Sequence, residues 1–276
     1  MTFIHIMAFS IADIKNANKE LIKFRLNHDT DHERFIFPFL CGSYFTYRKI
    51  DVHRIVSIAK TISENPTYLD VGCGYGDFLE KIREYIPKAE GIEKSADIFY
   101  SVGRTKPRYI TIADAYNGIG NNYDIIFVGW MEPGVDYRDK IAKSANCIIT
   151  TLDQGLSLAA EFDGIGFEKV ASWITPSWID VNIEITNRYY TKMPNKLIEN
   201  LIDLRGAHNL WYVYSKPQLK EKIKVALKMW IEQEIKIKDL DEKYSHEKIL
   251  DECGFSFKES LPLNPDLYLW EIKIEK

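Results

Sequence analysis

The stretch Tyr68-Leu69-Asp70-Val71-Gly72-Cys73-Gly74-Tyr75-Gly76-Asp77-Phe78 decides the fold. Tyr68 to Val71 is a short apolar run, as a buried strand requires. Gly72, Gly74 and Gly76 alternate with Cys73 and Tyr75 in a tight, glycine-rich turn, and Asp77 to Arg83 then opens a helical pattern. Seventeen residues past Gly76, Gly91-Ile92-Glu93 closes on an acid. A strand, a glycine turn, a helix and a carboxylate about 20 residues on form the layout of a nucleotide-type pocket in a doubly wound sheet.

Working outward, strands and helices alternate. Strands are expected at Tyr68–Val71, Ala89–Ile92, Tyr109–Ile112, Tyr123–Val128 and Cys147–Thr150. Helices are expected at Val52–Ser63, stopped by Asn65-Pro66, and at Asp77–Tyr85, Ser95–Tyr100 and Tyr137–Lys143. Repeated β-α units of this length point to a parallel sheet covered by helices. Upstream, Ile11 to Arg25 suits an amphipathic helix, followed by a polar turn and an aromatic stretch from Phe35 to Tyr47.

After Leu152 the rhythm changes. Phe167–Ile174 and Asp180–Tyr190 read as long strands, and an antiparallel pair of them would close the sheet. Leu210–Tyr214 is strand-like, Gln218–Lys236 and Ser245–Glu252 are helical, and Phe255–Glu259 and Asp266–Ile274 are again strand-like. Gly166-Phe167-Glu168-Lys169 is echoed at Gly254-Phe255-Ser256-Phe257-Lys258, so either 165–190 or 254–275 could complete the main sheet. The first follows the fifth strand directly and is preferred. The expected fold is therefore α/β: a Rossmann-like, doubly wound, mostly parallel sheet with antiparallel closing strands. It carries an N-terminal helical cap at 1–49, a core at 50–192 and a C-terminal α+β extension at 193–276.

Composition narrows the function. At 276 residues there is room for one large α/β domain, or an ordinary one with an appendage. A net charge of −4 implies no strongly basic face, which weighs against a nucleic-acid partner. The cysteines Cys41, Cys73, Cys147 and Cys253 are far apart, so neither a zinc knuckle nor a disulfide framework is expected, and no metal. Met1 to Ile14 is apolar but lacks a basic start and is interrupted by His5 and Asp13. No signal peptide or membrane span is expected, and a cytoplasmic location follows. The pattern does not fix an oligomeric state.

Three ligands compete for a glycine turn after a first strand. A dinucleotide wants G-x-G-x-x-G, but here the third glycine comes one residue early. Asp77 follows at once, and a carboxylate beside a helix N-terminus would repel a pyrophosphate. No Gly-Lys-Ser/Thr follows, which excludes a P-loop. S-adenosylmethionine has no phosphate but carries an ammonium, a carboxylate, a ribose, an adenine and a sulfonium. Asp70 suits the ammonium, Gly72 and Gly74 let backbone approach the ligand, and Glu93 suits the ribose hydroxyls.

On these residues the chain resembles the class I S-adenosylmethionine-dependent methyltransferases. Leu69-Asp70-Val71-Gly72-Cys73-Gly74-Tyr75-Gly76-Asp77-Phe78 resembles their first motif, and Gly91-Ile92-Glu93 their second-strand acid. Ile112-Ala113-Asp114-Ala115 is similar to the acidic segment after strand three that meets the adenine amino group. Tyr123 to Trp130 resembles their fourth strand. The match covers roughly residues 50 to 150. It implies cofactor contacts from Asp70, Gly72, Cys73, Gly74, Gly76, Glu93, Asp114, Ala115 and Gly129. Cys73 is otherwise read as a small packing residue, and Asp124 as the start of a strand.

The acceptor side is less marked. Methyl transfer from a sulfonium is an in-line displacement and rests largely on positioning, so no motif for a base is guaranteed. The loop Gly129-Trp130-Met131-Glu132-Pro133-Gly134 follows the fourth strand, where the resembling family places acceptor-binding residues; the Asn-Pro-Pro-Tyr signature of many amino-methylating enzymes is absent. Trp130 could shield the sulfonium and Glu132 could orient an amine. Further candidates are His28, Asp29, His32, Glu33, Tyr44 and Tyr47 in the cap, and Trp173, Trp178 and Trp211 downstream. The expected acceptor is a small molecule. A protein or RNA acceptor docked by the lysine-rich helix 218–236, or a binding module without catalysis, is the alternative.

Overall fold

The computed structural model describes residues 15–16, 19, 23, 47, 49–100, 103–129, 135–151, 162–176, 208–236 and 271–276. Lys15, Asn16, Lys19 and Lys23 are helical. Helix α1, Lys49–Ile62, buries Val52, Ile55, Val56, Ile58 and Ala59 along one side and stops before Asn65-Pro66. The residue before a proline is pushed out of helical geometry, so the stop is local chemistry.

Strand β1, Tyr68–Val71, is buried at all four positions. That is the signature of a central strand covered on both faces. It leads through the glycine turn into α2, Asp77–Arg83, and then β2, Glu90–Glu93. A short helix α3, Asp97–Tyr100, precedes β3, Ile110–Ile112. A 3₁₀ turn, Ala115–Asn117, precedes β4, Tyr123–Val128; α4, Arg138–Ser144, then runs into β5, Ala145–Thr150. Beyond these come β6, Glu168–Pro176, β7, His208–Ser215, α5, Pro217–Lys236, and β8, Lys273–Ile274.

One sheet holds all eight strands in the order β3-β2-β1-β4-β5-β7-β6-β8. The first five are parallel, with Asp70 opposite Gly91 on one side and Phe127 on the other. The last three run antiparallel, β7 against β5, then β6 against β7, then β8 against β6. This is a Rossmann-like, mostly parallel sheet with antiparallel closing strands, as expected.

The partner of the closing strand differs from expectation. Phe167–Ile174 does enter the sheet as β6, but the place beside β5 belongs to β7, not to the next segment in sequence. Cys147 pairs with Ser215 and Thr150 with Tyr212, so β7 is wedged between β5 and β6. A boundary between residues 192 and 193 would cut this strand from its own sheet. Of the C-terminal alternative, Lys273–Ile274 reaches the sheet, but only at its far edge on β6. The expected strands Asp180–Tyr190 and Phe255–Glu259 and the helix Ser245–Glu252 lie outside the described residues.

Apolar layers cover both faces. One joins α1, α2, α3 and α5 to the sheet through Val52, Leu79, Phe99, Phe127, Trp211 and Leu227. The other packs α4 and the 3₁₀ turn through Ile141, Ala115, Ile126 and Ile148. In the first layer an aromatic row runs across the sheet: Phe78 lies 4.9 Å from Phe127, Phe127 5.9 Å from Trp211, and Trp211 5.2 Å from Trp173. Trp173 Nε1 donates to Asp51 Oδ1 at 2.9 Å, and Arg54 pairs with Glu234 through two hydrogen bonds of 2.9 Å. The first bond ties β6 to α1 and the Arg54–Glu234 pair ties α5 to α1, so the helix 217–236 packs against the core.

Candidate functional site

The parallel strands β1 to β4 end along one edge of the sheet, and there the glycine turn forms. Gly72, Gly74 and Gly76 have φ of 69°, 57° and 86°. Side chains other than glycine rarely adopt that left-handed region. At Gly76 space is closed as well, because a Cβ would sit 2.7 Å from Ile110 Cδ1. The turn is hooked to the neighbouring strand: the N–H groups of Gly72 and Cys73 donate to the Ile92 carbonyl at 2.9 and 3.1 Å. The backbone path is thus set by β2 and β3.

Two carboxylates face this turn. Asp70 is 3% exposed and accepts no hydrogen bond among the described residues. Burial raises its pKa well above the ordinary carboxylate range, and the charge of Glu93 raises it further. Glu93 Oε2 accepts from Gly74 N–H at 2.9 Å and Oε1 from Lys94 N–H at 2.9 Å. Burial raises the Glu93 pKa, against the lowering effect of its bonds to the Gly74, Lys94 and Ser95 amides. A carboxylate has about four lone-pair sites, so Glu93 keeps acceptor capacity for ligand hydroxyls. A buried acid with no partner, beside a second acid, is stabilised by a cation and destabilised by an anion.

Asp114 stands after β3, as the sequence placed it. Its Oδ1 caps the 3₁₀ turn by accepting from Tyr116 N–H at 2.9 Å, and Lys94 Nζ lies 4.0 Å from Oδ2. Ala113 N–H donates to the Glu93 carbonyl at 2.9 Å, which joins the Asp114 loop to the end of β2. Ala115 is the buried first residue of the 3₁₀ turn, and Gly129 is buried directly after β4. The structure therefore gathers Asp70, Gly72–Gly76, Glu93, Asp114, Ala115 and Gly129 at one edge of the sheet.

Cys73 and Asp77 have other work. The Cys73 thiol is pushed far up by burial and then by Asp70 and Glu93, which favours the neutral thiol over the thiolate. A Cβ on Gly91 would lie 2.7 Å from its sulfur, so Cys73 packs the turn against β2. Asp77 is buried, and its Oδ1 lies 3.5 Å from Arg104 Nη1. Its negative charge is offset there, so its repulsion of a phosphate is weaker than the sequence implied. The preference for a cationic ligand comes instead from Asp70 and Glu93.

Sequence reasoning passed over Arg104. Its guanidinium lies 4.5 Å from the ring of Tyr75 and also reaches Asp77, so one side chain braces both sides of Gly76. Two hydroxyls were also passed over. Thr150 and Thr151, at the carboxyl end of β5, are buried and their Oγ1 atoms have no hydrogen-bond partner among the described residues. Thr151 N–H donates to the Val128 carbonyl at 3.2 Å, which sets these hydroxyls beside the end of β4.

The acceptor candidates divide. Trp130, Glu132, His28, Asp29, His32, Glu33, Tyr44 and Trp178 lie outside the described residues. Tyr47 is buried over α2, its ring 4.8 Å from Phe78 and its hydroxyl 3.5 Å from the Asp77 carbonyl, so one cap residue does reach the turn. Trp173 and Trp211 are buried, stacked and engaged in the core, not lining a pocket. Asp124 is structural: it accepts from Thr67 N–H at 2.9 Å, Thr67 Oγ1 at 3.1 Å and Asn146 Nδ2 at 3.3 Å.

No protein-family model matches the chain, and no curated protein does. Solved structures do. Coclaurine N-methyltransferase bound to N-methylheliamine and SAH is 13% identical, over 74% of this chain and 86% of that one, with a TM-score of 0.40. A SAM-dependent methyltransferase from Archaeoglobus fulgidus is 14% identical, over 61% and 92%, with a TM-score of 0.39. Streptomyces venezuelae DesVI is 15% identical, with a TM-score of 0.32; the match covers 51% of this chain and spans only 56% of DesVI. At identities this low the likeness concerns the fold alone.

Proposed function

We propose that the edge built from Asp70, the glycine turn, Glu93 and Asp114 holds S-adenosylmethionine, and that the protein is a methyltransferase acting on a small molecule. The observation that carries this reading is Asp70, a buried carboxylate with a raised pKa and no partner among the described residues. An α-ammonium group supplies the positive charge and the donors that it lacks. Glu93 retains acceptor sites for ribose hydroxyls, and Gly72 and Gly74 admit close backbone approach. Asp114 holds its loop by its own cap and stands where the resemblance expects the adenine amino group. When bound, the cofactor supplies a methyl on a positively charged sulfur, open to in-line attack by a positioned nucleophile.

The chain's own contribution is then to orient and to exclude water. Tyr47 packs on Phe78 just after the turn, and Arg104 stacks on Tyr75 within it. The acceptor is assigned to the carboxyl ends of β4 and β5, beyond Gly129, and Trp130 and Glu132, which follow Gly129 in the sequence, are the candidate residues for it. A macromolecular acceptor docked on α5 is disfavoured. Lys220 is paired with Glu168 and Lys224 with Glu221, so part of that lysine row is already neutralised.

Titration calorimetry with S-adenosylmethionine tests the pocket; absence of binding to the wild type would reject it. Transfer of labelled methyl in a cell extract, fractionated by size, tests the acceptor. Label confined to low-mass material is the expected result, label in protein or RNA would overturn the small-molecule assignment, and binding without turnover would leave a non-catalytic module.

A further inference from the structure

The opposite edge of the sheet, at the amino ends of β1 to β4, holds a cavity of about 730 Å³. Its cations come from three separate segments: Arg83 from the end of α2, Lys88 from the turn before β2, and Arg108 from the loop before β3. Against these stands one lining carboxylate, Glu90, whose Oε2 already accepts from the Tyr123 hydroxyl at 3.1 Å. The chain as a whole carries a net charge of −4, so this concentration of positive charge runs against its surroundings.

Two of the three cations are uncommitted. Neither Lys88 nor Arg108 forms an ion pair or hydrogen bond among the described residues, and both are exposed at the rim. Arg83 is fixed: it donates to the Ala89 carbonyl, and its guanidinium lies 4.3 Å from the ring of Tyr109. Asn121 and Asn122 line the same space as uncharged polar residues, the Asn121 side chain being hydrogen-bonded to Tyr123. A fixed guanidinium and two free cations around one hollow suit an oxyanion with more than one negative charge.

We propose that this cavity is a second ligand site, separate from the glycine-turn pocket, and that it binds a phosphate-bearing small molecule of the diphosphate type. A diphosphate spans cations set on different loops, as a single carboxylate cannot. The volume is within the usual range for small-molecule sites and leaves room for an attached organic group. Nothing in this assignment depends on what the glycine turn holds.

The test is titration calorimetry of the full-length protein with inorganic pyrophosphate and, separately, with ADP. The variant is Lys88→Glu with Arg108→Glu, both at exposed positions, so the thermal midpoint is expected to stay near that of the wild type. The control is Lys222→Glu with Lys228→Glu on α5, which makes the same change in net charge at a distance. Reversing both rim charges is expected to weaken anion binding about tenfold or more, while the control leaves it unchanged. Equal affinity for the two probes assigns the site to the free anion, and tighter binding of ADP assigns it to a nucleotide. No binding of either probe, or the same loss in both variants, would overturn the proposal.

Discussion

Asp70 and Asp124 are the same residue type on neighbouring strands, yet they stand at opposite edges of the sheet and live differently. Asp124 opens β4 and accepts from Thr67 twice and from Asn146 once, tying the starts of β1, β4 and β5 together. Asp70 sits in β1 near its carboxyl end, more deeply buried, and its side chain accepts no hydrogen bond among the described residues. The first acid stabilises the fold, because its charge is matched by donors. The second does not, because burial without donors raises the free energy of the ionised form. A sheet tolerates such a residue where a ligand completes it.

That contrast can be broken by experiment. The largest effect expected is on cofactor affinity in Asp70→Ala, a loss of about a hundredfold, as for a buried charge pair stripped of one partner. The same variant should unfold no earlier than the wild type in a thermal scan. Asp124→Ala should behave in reverse, losing about 2 kcal/mol in denaturant unfolding through its broken hydrogen bonds, with calorimetric affinity of the folded protein retained. If both variants lost affinity and stability alike, the division between the two acids would fail.

The pH dependence sharpens it. The folded-state pKa of Asp70 is raised above its unfolded value. As pH rises, the unfolded chain therefore gives up that proton first, and the stability of the ligand-free protein falls from the unfolded pKa towards the folded one. Affinity for a ligand ammonium moves the other way, rising as Asp70 ionises. Calorimetry across that range should show affinity falling as pH is lowered, and Asp70→Asn should flatten most of the slope while stabilising the ligand-free protein at neutral pH. A pH-independent affinity in the wild type would remove Asp70 from the ammonium. The smallest effect is expected from Arg104→Gln, which gives up the contacts to Asp77 and Tyr75; a loss of about 1 kcal/mol in cofactor binding is expected, read by the same titration.

Much of this was legible in the sequence, and the limits were physical. The five parallel strands could be placed because each is a short apolar run between turns, and the glycine turn because its spacing is local. The position of β7 could not, since the order of strands is set by pairing between residues far apart, such as Thr150 with Tyr212. The acids Asp70, Glu93 and Asp114 could be placed at the ends of their strands through their intervals. Asp77 was found but misread, because the guanidinium that offsets it arrives from Arg104, 27 residues on, with no period to announce it. No sequence rule distinguishes a satisfied aspartate from an orphaned one, which is why Asp70 and Asp124 part only in three dimensions.

The wedging of β7 between β5 and β6 has a consequence for how the protein is made. Emerging from a ribosome, the chain delivers β5 well before β7, and until β7 pairs with it the outer edge of β5 carries unpaired backbone donors and acceptors on a mostly apolar strand. Such an edge is open to pairing with another chain. β6 is synthesised in between but sits one place further out, and its two neighbours among the described strands, β7 and β8, both come later in the chain. A truncation between residues 176 and 208 would therefore remove the strand that pairs with β5 and leave that edge exposed to association.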